Sequence, residues 1–231
     1  MDLLEEGLID PINHWYYRHK FWFIKNIIRS LSLKYPVLTD VGAGSALFSK
    51  QLRLEGFVGS VYAIDPGYSE EYIEPQLDVH FLKAPNKNQS DIYLFTDVLE
   101  HIDDDISFLI DYVDSAKKDS IFIITVPAHQ FLWSGHDEFL KHYRRYNLSE
   151  IEFVAQSSGL QVLESRYIYS TLFPFAYLQR KFSSNKKEKS SKLKKNGKII
   201  SGLFNALLKI DKILINKKFG VSIFLVCKPN S

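Results

Sequence analysis

The stretch Thr39-Asp40-Val41-Gly42-Ala43-Gly44-Ser45-Ala46 constrains the fold more than any other part of this 231-residue chain. It follows the apolar Val37-Leu38 and leads into Leu47-Phe48-Ser49-Lys50-Gln51-Leu52, which is patterned as a helix. An apolar run, two glycines and a helix predict a buried parallel strand ending in a tight turn, where the missing Cβ atoms let a ligand approach the backbone. A dinucleotide turn would carry a third glycine, but Leu47 stands there. Asp40, two residues before the first glycine, would also set a carboxylate against a pyrophosphate. It suits a ligand with positive charge.

The alternation continues along the chain. Gly59–Asp65 reads as a second strand closed by Asp65, about twenty residues beyond the glycine loop, where an acidic residue accepts ribose hydroxyls. A turn or cap carboxylate before Pro66-Gly67 is the other reading. Strands are expected at Asp78–Leu82, Asp91–Thr96, Ser120–Val126, Gln161–Ile168 and Val221–Cys227, with a helix through Ile106, Leu109, Ile110 and Val113. This pattern predicts one domain over residues 1–231, a seven-stranded, mostly parallel, doubly wound Rossmann-like α/β sheet. Such sheets bind ligands at the carboxyl ends of their strands. Residues 40–45, Asp65, 97–101 and 127–136 all fall on that rim.

Two segments lie outside this repeat. Residues 11–34 are aromatic and basic, with Trp15, Phe21, Ile24, Ile28 and Leu31 near helical spacing, and predict a helix ending before Tyr35-Pro36. It either covers one side of the sheet or folds Tyr16, Tyr17 or Arg18 over the ligand pocket. Between the last two expected strands runs an excursion, residues 170–218. It includes a helix from about Ile199 to Asn216, with Ile200, Leu203, Leu207, Ile210 and Leu214 on one stripe and Ser201, Asn205, Lys209, Lys212 and Asn216 on another.

Asp40-x-Gly42-x-Gly44 resembles the first motif of class I S-adenosylmethionine-dependent methyltransferases, and Asp97-Val98-Leu99-Glu100-His101-Ile102 resembles their motif after strand four. The run Trp133-Ser134-Gly135-His136-Asp137 with His142-Tyr143-Arg144-Arg145-Tyr146 is similar to a bacterial subgroup related to ubiquinone-biosynthesis and surface-glycan methyltransferases. The resemblance spans residues 13 to about 180 and implies an antiparallel last strand, S-adenosyl-L-methionine as cofactor, and a methyl acceptor that is a small molecule, lipid or glycan precursor. It places the cofactor on Asp40, Gly42, Ala43, Gly44, Ser45, Asp65, Pro66, Asp97, Val98 and Leu99. Two features depart from the family: no acidic residue follows strand three at Lys83-Ala84-Pro85, and Lys117-Lys118-Asp119 replaces a Pro-Gly-Gly turn.

Transfer to a hydroxyl needs alignment and a base, and histidine titrates in the useful range. His101 and His136 rank first as catalytic candidates, with His129 and His142 near the rim; Asp137 could orient one of them. His129, Tyr143, Arg144 and Arg145 are candidate acceptor-binding residues, since guanidinium forks hold carboxylates and phosphates. The alternatives are structural: His101 bonding backbone, the others bracing a loop. No metal is expected.

Net charge of +2 hides an asymmetry. Residues 181–198 hold eight lysines and Glu188, a local +7 that leaves the remainder at −5 (2 − 7). A polybasic run beside an amphipathic helix can touch an anionic membrane, cap a pocket or form a dimer face. Aromatic residues are not interleaved among the lysines, so nucleic acid is not expected. One cysteine, Cys227, excludes an intrachain disulfide and a cysteine-cluster zinc site. Neither a secretory leader nor a membrane span is expected, which places the chain in the cytoplasm or peripherally at the inner membrane face. Two rivals stand beside a methyltransferase: a nicotinamide-dependent oxidoreductase and a non-catalytic membrane-associated scaffold with the same fold.

Overall fold

The computed structural model describes residues 14–85, 89–182, 198–213 and 217–230, with the backbone alone at 198–203 and 205. One mixed sheet contains β1 (Leu38–Val41), β2 (Val61–Ile64), β3 (Tyr72–Glu74), β4 (Val79–Leu82), β5 (Ile92–Thr96), β6 (Ile121–Pro127), β7 (Leu160–Ile168) and β8 (Ser222–Pro229). Their order is β3-β4-β2-β1-β5-β6-β8-β7. β4, β2, β1, β5 and β6 run parallel, and β8 lies antiparallel between β6 and β7. β1 and β5 are buried at every position, as both-face coverage demands of central parallel strands.

The seven expected strands are present, and the sheet has an eighth. β3 pairs antiparallel with β4 at the edge. It has no apolar run to betray it: Tyr72 and Ile73 are about half exposed, and the strand is secured by stacking of Tyr72 on Phe81, centroids 4.3 Å apart.

Helices cover both faces. On one side α1 (Trp15–Ser30), α2 (Leu47–Leu54) and α7 (Lys198–Asp211) pack over Ile24, Leu38, Leu52, Leu94 and Phe224. On the other, α3 (Asp105–Ser115) and α5 (Leu148–Ser157) pack over Phe95, Leu109, Phe122 and Ile151. The short α4 (Gly135–Phe139) starts with a reciprocal Ser134/Asp137 capping box and α5 with Asn147/Glu150. α6 (Phe173–Phe182) has no buried residue.

Two helices differ from expectation. α1 stops at Ser30, short of residue 34, because Ser32 and Tyr35 take positive φ and unwind the chain before Pro36; residues 11–13 of the expected helix lie outside the described ones. Its buried face includes His19 and Lys20, while Trp15, Phe21 and Leu31 are half-buried. α7 ends at Asp211 rather than Asn216, and Ile210 is 52% exposed instead of lying on the inner stripe. Leu208 and Asp211 point inward in its place. The side chains of Ile200, Leu203 and Leu214, and lysine-rich residues 183–197, lie outside the described ones.

Asp211 explains how α7 docks. It accepts from the Tyr169 and Ser170 amides, each at 2.7 Å, and lies 2.8 Å from His19 Nε2 on α1. A buried carboxylate with three such partners is satisfied without solvent.

Candidate active site

The glycine loop closes over β1 as expected. Gly42 and Gly44 have φ of +63° and +52°, a region that glycine enters without a Cβ penalty. A Cβ on Gly42 would lie 2.8 Å from Val98 Cγ2, so the loops after β1 and β5 meet through glycine. The Ala43 amide donates to Ile64 O at 3.0 Å, and Ser45 Oγ is buried with no hydrogen bond among the described residues. Asp65, before Pro66, accepts from Gly44 N and Gly67 N, both at 2.8 Å, and Tyr68 donates its hydroxyl to Gly44 O. Each carboxylate oxygen of Asp65 retains acceptor capacity for a further hydroxyl.

Asp40 is buried and accepts from Ser49 Oγ at 2.6 Å. Burial pushes its carboxyl up to about 6, with the Ser49 hydroxyl opposing. A cation brought beside it would restore the charge. Ser49 escaped the sequence reading, although a serine one turn into the helix after the loop is the position from which such a bond can be made.

At the end of β5 the sequence reading missed the main partner. Lys20, 1% exposed, extends from α1 to pair with Asp97, donates to Tyr16 Oη at 3.2 Å, and shares Asp97 with Thr125 Oγ1. Burial alone would depress the Lys20 ammonium, but Asp97 and Tyr16 hold it above its ordinary value. Burial likewise would raise Asp97, and Lys20 more than offsets it. Of the three residues expected over the pocket, Tyr16 reaches this pair and stacks on Tyr169; Tyr17 packs against Phe48 in the core, and Arg18 is exposed on another face. After strand three, where the family's acidic residue is absent, the Lys83 amide donates to Glu71 at 2.9 Å.

Beyond Asp97 a 3-10 turn, Leu99–His101, brings Glu100 and His101 under the 127–146 segment. Leu99 is buried, and its carbonyl accepts from Tyr146 Oη at 3.1 Å. Glu100 is fully buried, and neither carboxylate oxygen has a hydrogen bond among the described residues. Burial, then the Asp97 charge, raises its pKa well above its ordinary value, which disfavours the ionised form. His101 and His142 lie edge to face, centroids 4.6 Å apart. His142 Nδ1 is 3.0 Å from Asp137 Oδ1, and Arg145 grips both Asp137 oxygens at 2.7 and 3.0 Å. Burial would raise Asp137, but His142 and Arg145 hold it well below the usual carboxylate range. The histidine that Asp137 orients is therefore His142; the adjacent His136 sits on α4 with its amide on Ser134 Oγ. Ligand atoms of Glu100, His101 and His142 lie within 4.8 Å of one another, a carboxylate and two imidazoles that could hold a divalent ion.

The remaining candidates are dispersed. His129 stacks on Tyr167 and Phe131, and burial, then Arg145, lowers its pKa. Tyr143 has an exposed ring, while its amide ties to Glu100 O at 2.7 Å. Arg144 braces the start of α3 through Asp103 O at 2.6 Å and Asp105 Oδ2 at 3.2 Å. Arg145 is occupied by Asp137. Ala46, Asp97, His129 and Tyr169 all have φ between 53° and 59° at the edges of this region, strain that collects where a fold positions side chains.

No protein-family model matches the sequence, and no curated protein matches it. Solved structures do match in shape. A Haloferax volcanii protein described as a methyltransferase, solved with the Trm112 methyltransferase activator, superposes with TM-score 0.57 at 14% identity, covering 93% of this chain and 91% of its own. An S-adenosylmethionine-dependent methyltransferase from Clostridium acetobutylicum gives 0.55 at 13% identity over 93% and 92%. A Burkholderia thailandensis N1-methyltransferase, solved with 1,6-didemethyltoxoflavin and S-adenosylhomocysteine, gives 0.57 at 13% over 94% and 81%. The chain has the Rossmann-like fold shared by these S-adenosylmethionine-dependent methyltransferases.

Proposed function

We propose that the chain is an S-adenosylmethionine-dependent methyltransferase acting on an oxygen of a small-molecule, lipid or glycan-precursor acceptor. The carrying observation is the carboxylate arrangement: Asp65 anchored on Gly44 at the end of β2, beside a buried Asp40 that a cation would recharge. Bound S-adenosylmethionine would supply the methyl group and a neutral thioether leaving group. Ser45 Oγ, buried with no partner among the described residues, suits a polar ligand over the loop. His142, oriented by Asp137, is the base: its Nε2 would take the proton from the acceptor hydroxyl during transfer. His101 bounds the same space. This assignment replaces His136 as a catalytic residue and leaves Arg144 and Arg145 as braces.

A second reading of the base rests on Glu100. Its two oxygens without partners, with His101 and His142, could hold a divalent ion that lowers the acceptor hydroxyl's pKa. Loss of transfer on chelation, with recovery on metal addition, would support it over a metal-free base. Peripheral membrane contact is supported by α6, where Phe175 and Phe182 are 56% and 76% exposed beside Arg180 and Lys181. None of the described helices is long and apolar enough to cross a membrane.

Calorimetric titration with S-adenosylmethionine, S-adenosylhomocysteine and NAD(H), beside Asp65→Ala, tests the central claim. Adenosyl ligands should bind and the variant should weaken them. Binding of NAD(H) alone would favour the oxidoreductase, and no binding at all the scaffold.

A further inference from the structure

A cavity of about 340 Å³ lies between α1, α2 and α7, apart from the rim: Asp40, Asp65, Asp97 and Glu100 do not line it. Its size falls within the range of small-molecule sites. Trp15, Phe21, Trp22 and Phe48 supply aromatic walls. Arg18, Lys25 and Lys212 line the same space, and Glu55 is the one carboxylate among the described lining residues. Glu55 is taken by Lys25 at 3.2 Å. Among the described residues neither Arg18 nor Lys212 has an ion-pair partner, and Lys212 Nζ stands 4.8 Å over the Trp22 ring.

The charge arrangement is unfavourable in the protein alone. Burial, then Arg18, Lys25 and Lys209, depresses the Lys212 ammonium. Like charges gathered beside aromatic walls, with one acid among them, are relieved by an anion, and a guanidinium with ammonium groups suits phosphate oxygens. Aromatic walls next to them favour a flat apolar body on that phosphate. We infer that this cavity binds a phosphate ester carrying a compact apolar or aromatic group, at a site separate from the methyl-transfer rim. The ester could be a free metabolite or a lipid headgroup, since both offer the same chemistry.

Titration of the full chain with 1-naphthyl phosphate tests this without requiring methyl transfer. Binding should exceed that of 1-naphthol and of inorganic phosphate by about tenfold each, because either half of the ligand alone loses one set of contacts. Arg18→Gln with Lys212→Gln should weaken it by at least about tenfold while the melting temperature and S-adenosylmethionine affinity stay near those of the parent. Tighter binding of dihexanoyl phosphatidic acid, lost in the same variant, would assign the ester to a lipid; tighter binding of 1-naphthyl phosphate would assign it to a free metabolite. Equal binding of 1-naphthol, or no effect of the double variant, would overturn the inference. Should the variant unfold, Lys212→Arg provides the second test: the charge is retained, so affinity within about threefold is expected and abolition would count against the site.

Discussion

The two halves of the rim are built by different rules. Around the glycine loop, backbone amides satisfy the carboxylate of Asp65 within a short stretch, and the turn after β1 meets the ends of its neighbouring strands. Around Glu100, side chains satisfy side chains: Asp137 is held by His142, Arg145 and Ser134, while the Glu100 carboxylate has no hydrogen bond among the described residues. A backbone-built site tolerates change in the side chains around it. A side-chain network loses its geometry when one member is removed.

The sharpest break in this comparison should come from His142→Ala. Transfer should fall about a thousandfold, the worth of a positioned base, with S-adenosylhomocysteine affinity nearly unchanged in calorimetry. A parallel loss of cofactor affinity would merge the two halves into one unit. Next is Lys20→Met, which strands Asp97 beside a buried apolar group and should lower stability by about 3 kcal/mol in denaturant unfolding. Adding Asp97→Asn should recover most of that stability, because the uncompensated charge is then gone.

Asp40 carries a pH signature. Its folded pKa is raised to about 6, so its contribution is fully present below the ordinary carboxylate value and is lost as pH rises through about 6. Unfolding free energy of the ligand-free protein should drop by about 2–3 kcal/mol across that window, and Asp40→Asn should flatten the drop while weakening cofactor binding. Smaller is Asp65→Asn, expected to weaken adenosyl ligands about tenfold in calorimetry without shifting the melt by more than a few degrees. Smallest is Arg144→Gln. Its partner Asp103 is 81% exposed and its buried partner Asp105 keeps the Tyr146 hydroxyl at 2.7 Å, so stability should fall by about 1 kcal/mol, and near-parental transfer would support a brace.

Legibility in the sequence follows the same division. The glycine loop, Asp65 and Asp97 are signalled by spacing, because a strand, a turn and a helix leave a local pattern that a short window captures. β3 left none, being a three-residue edge held by one aromatic stack. Lys20 is one basic residue of an aromatic, basic segment, and no local pattern reveals that residue 97 neutralises it. Asp137 stands next to His136 in sequence, yet the α4 capping box turns its carboxylate toward His142. Ile210 and Asp211 show the reverse: hydrophobicity put the first on the apolar stripe, yet contacts with His19 and two backbone amides draw the second inward.

That last contact bears on how the protein comes into being. His19 and Asp211 are 192 residues apart, so α1 leaves the ribosome long before its buried partner has been synthesised. Until then His19 and Lys20 belong to an aromatic helix with no finished place to dock. The rim draws one of its charges from that helix, so the helix that supplies Lys20 to Asp97 gains its His19 anchor only after the last helix has emerged. Translation thus sets an order: a nascent chain lacking α7 would possess the glycine loop yet leave His19 without Asp211.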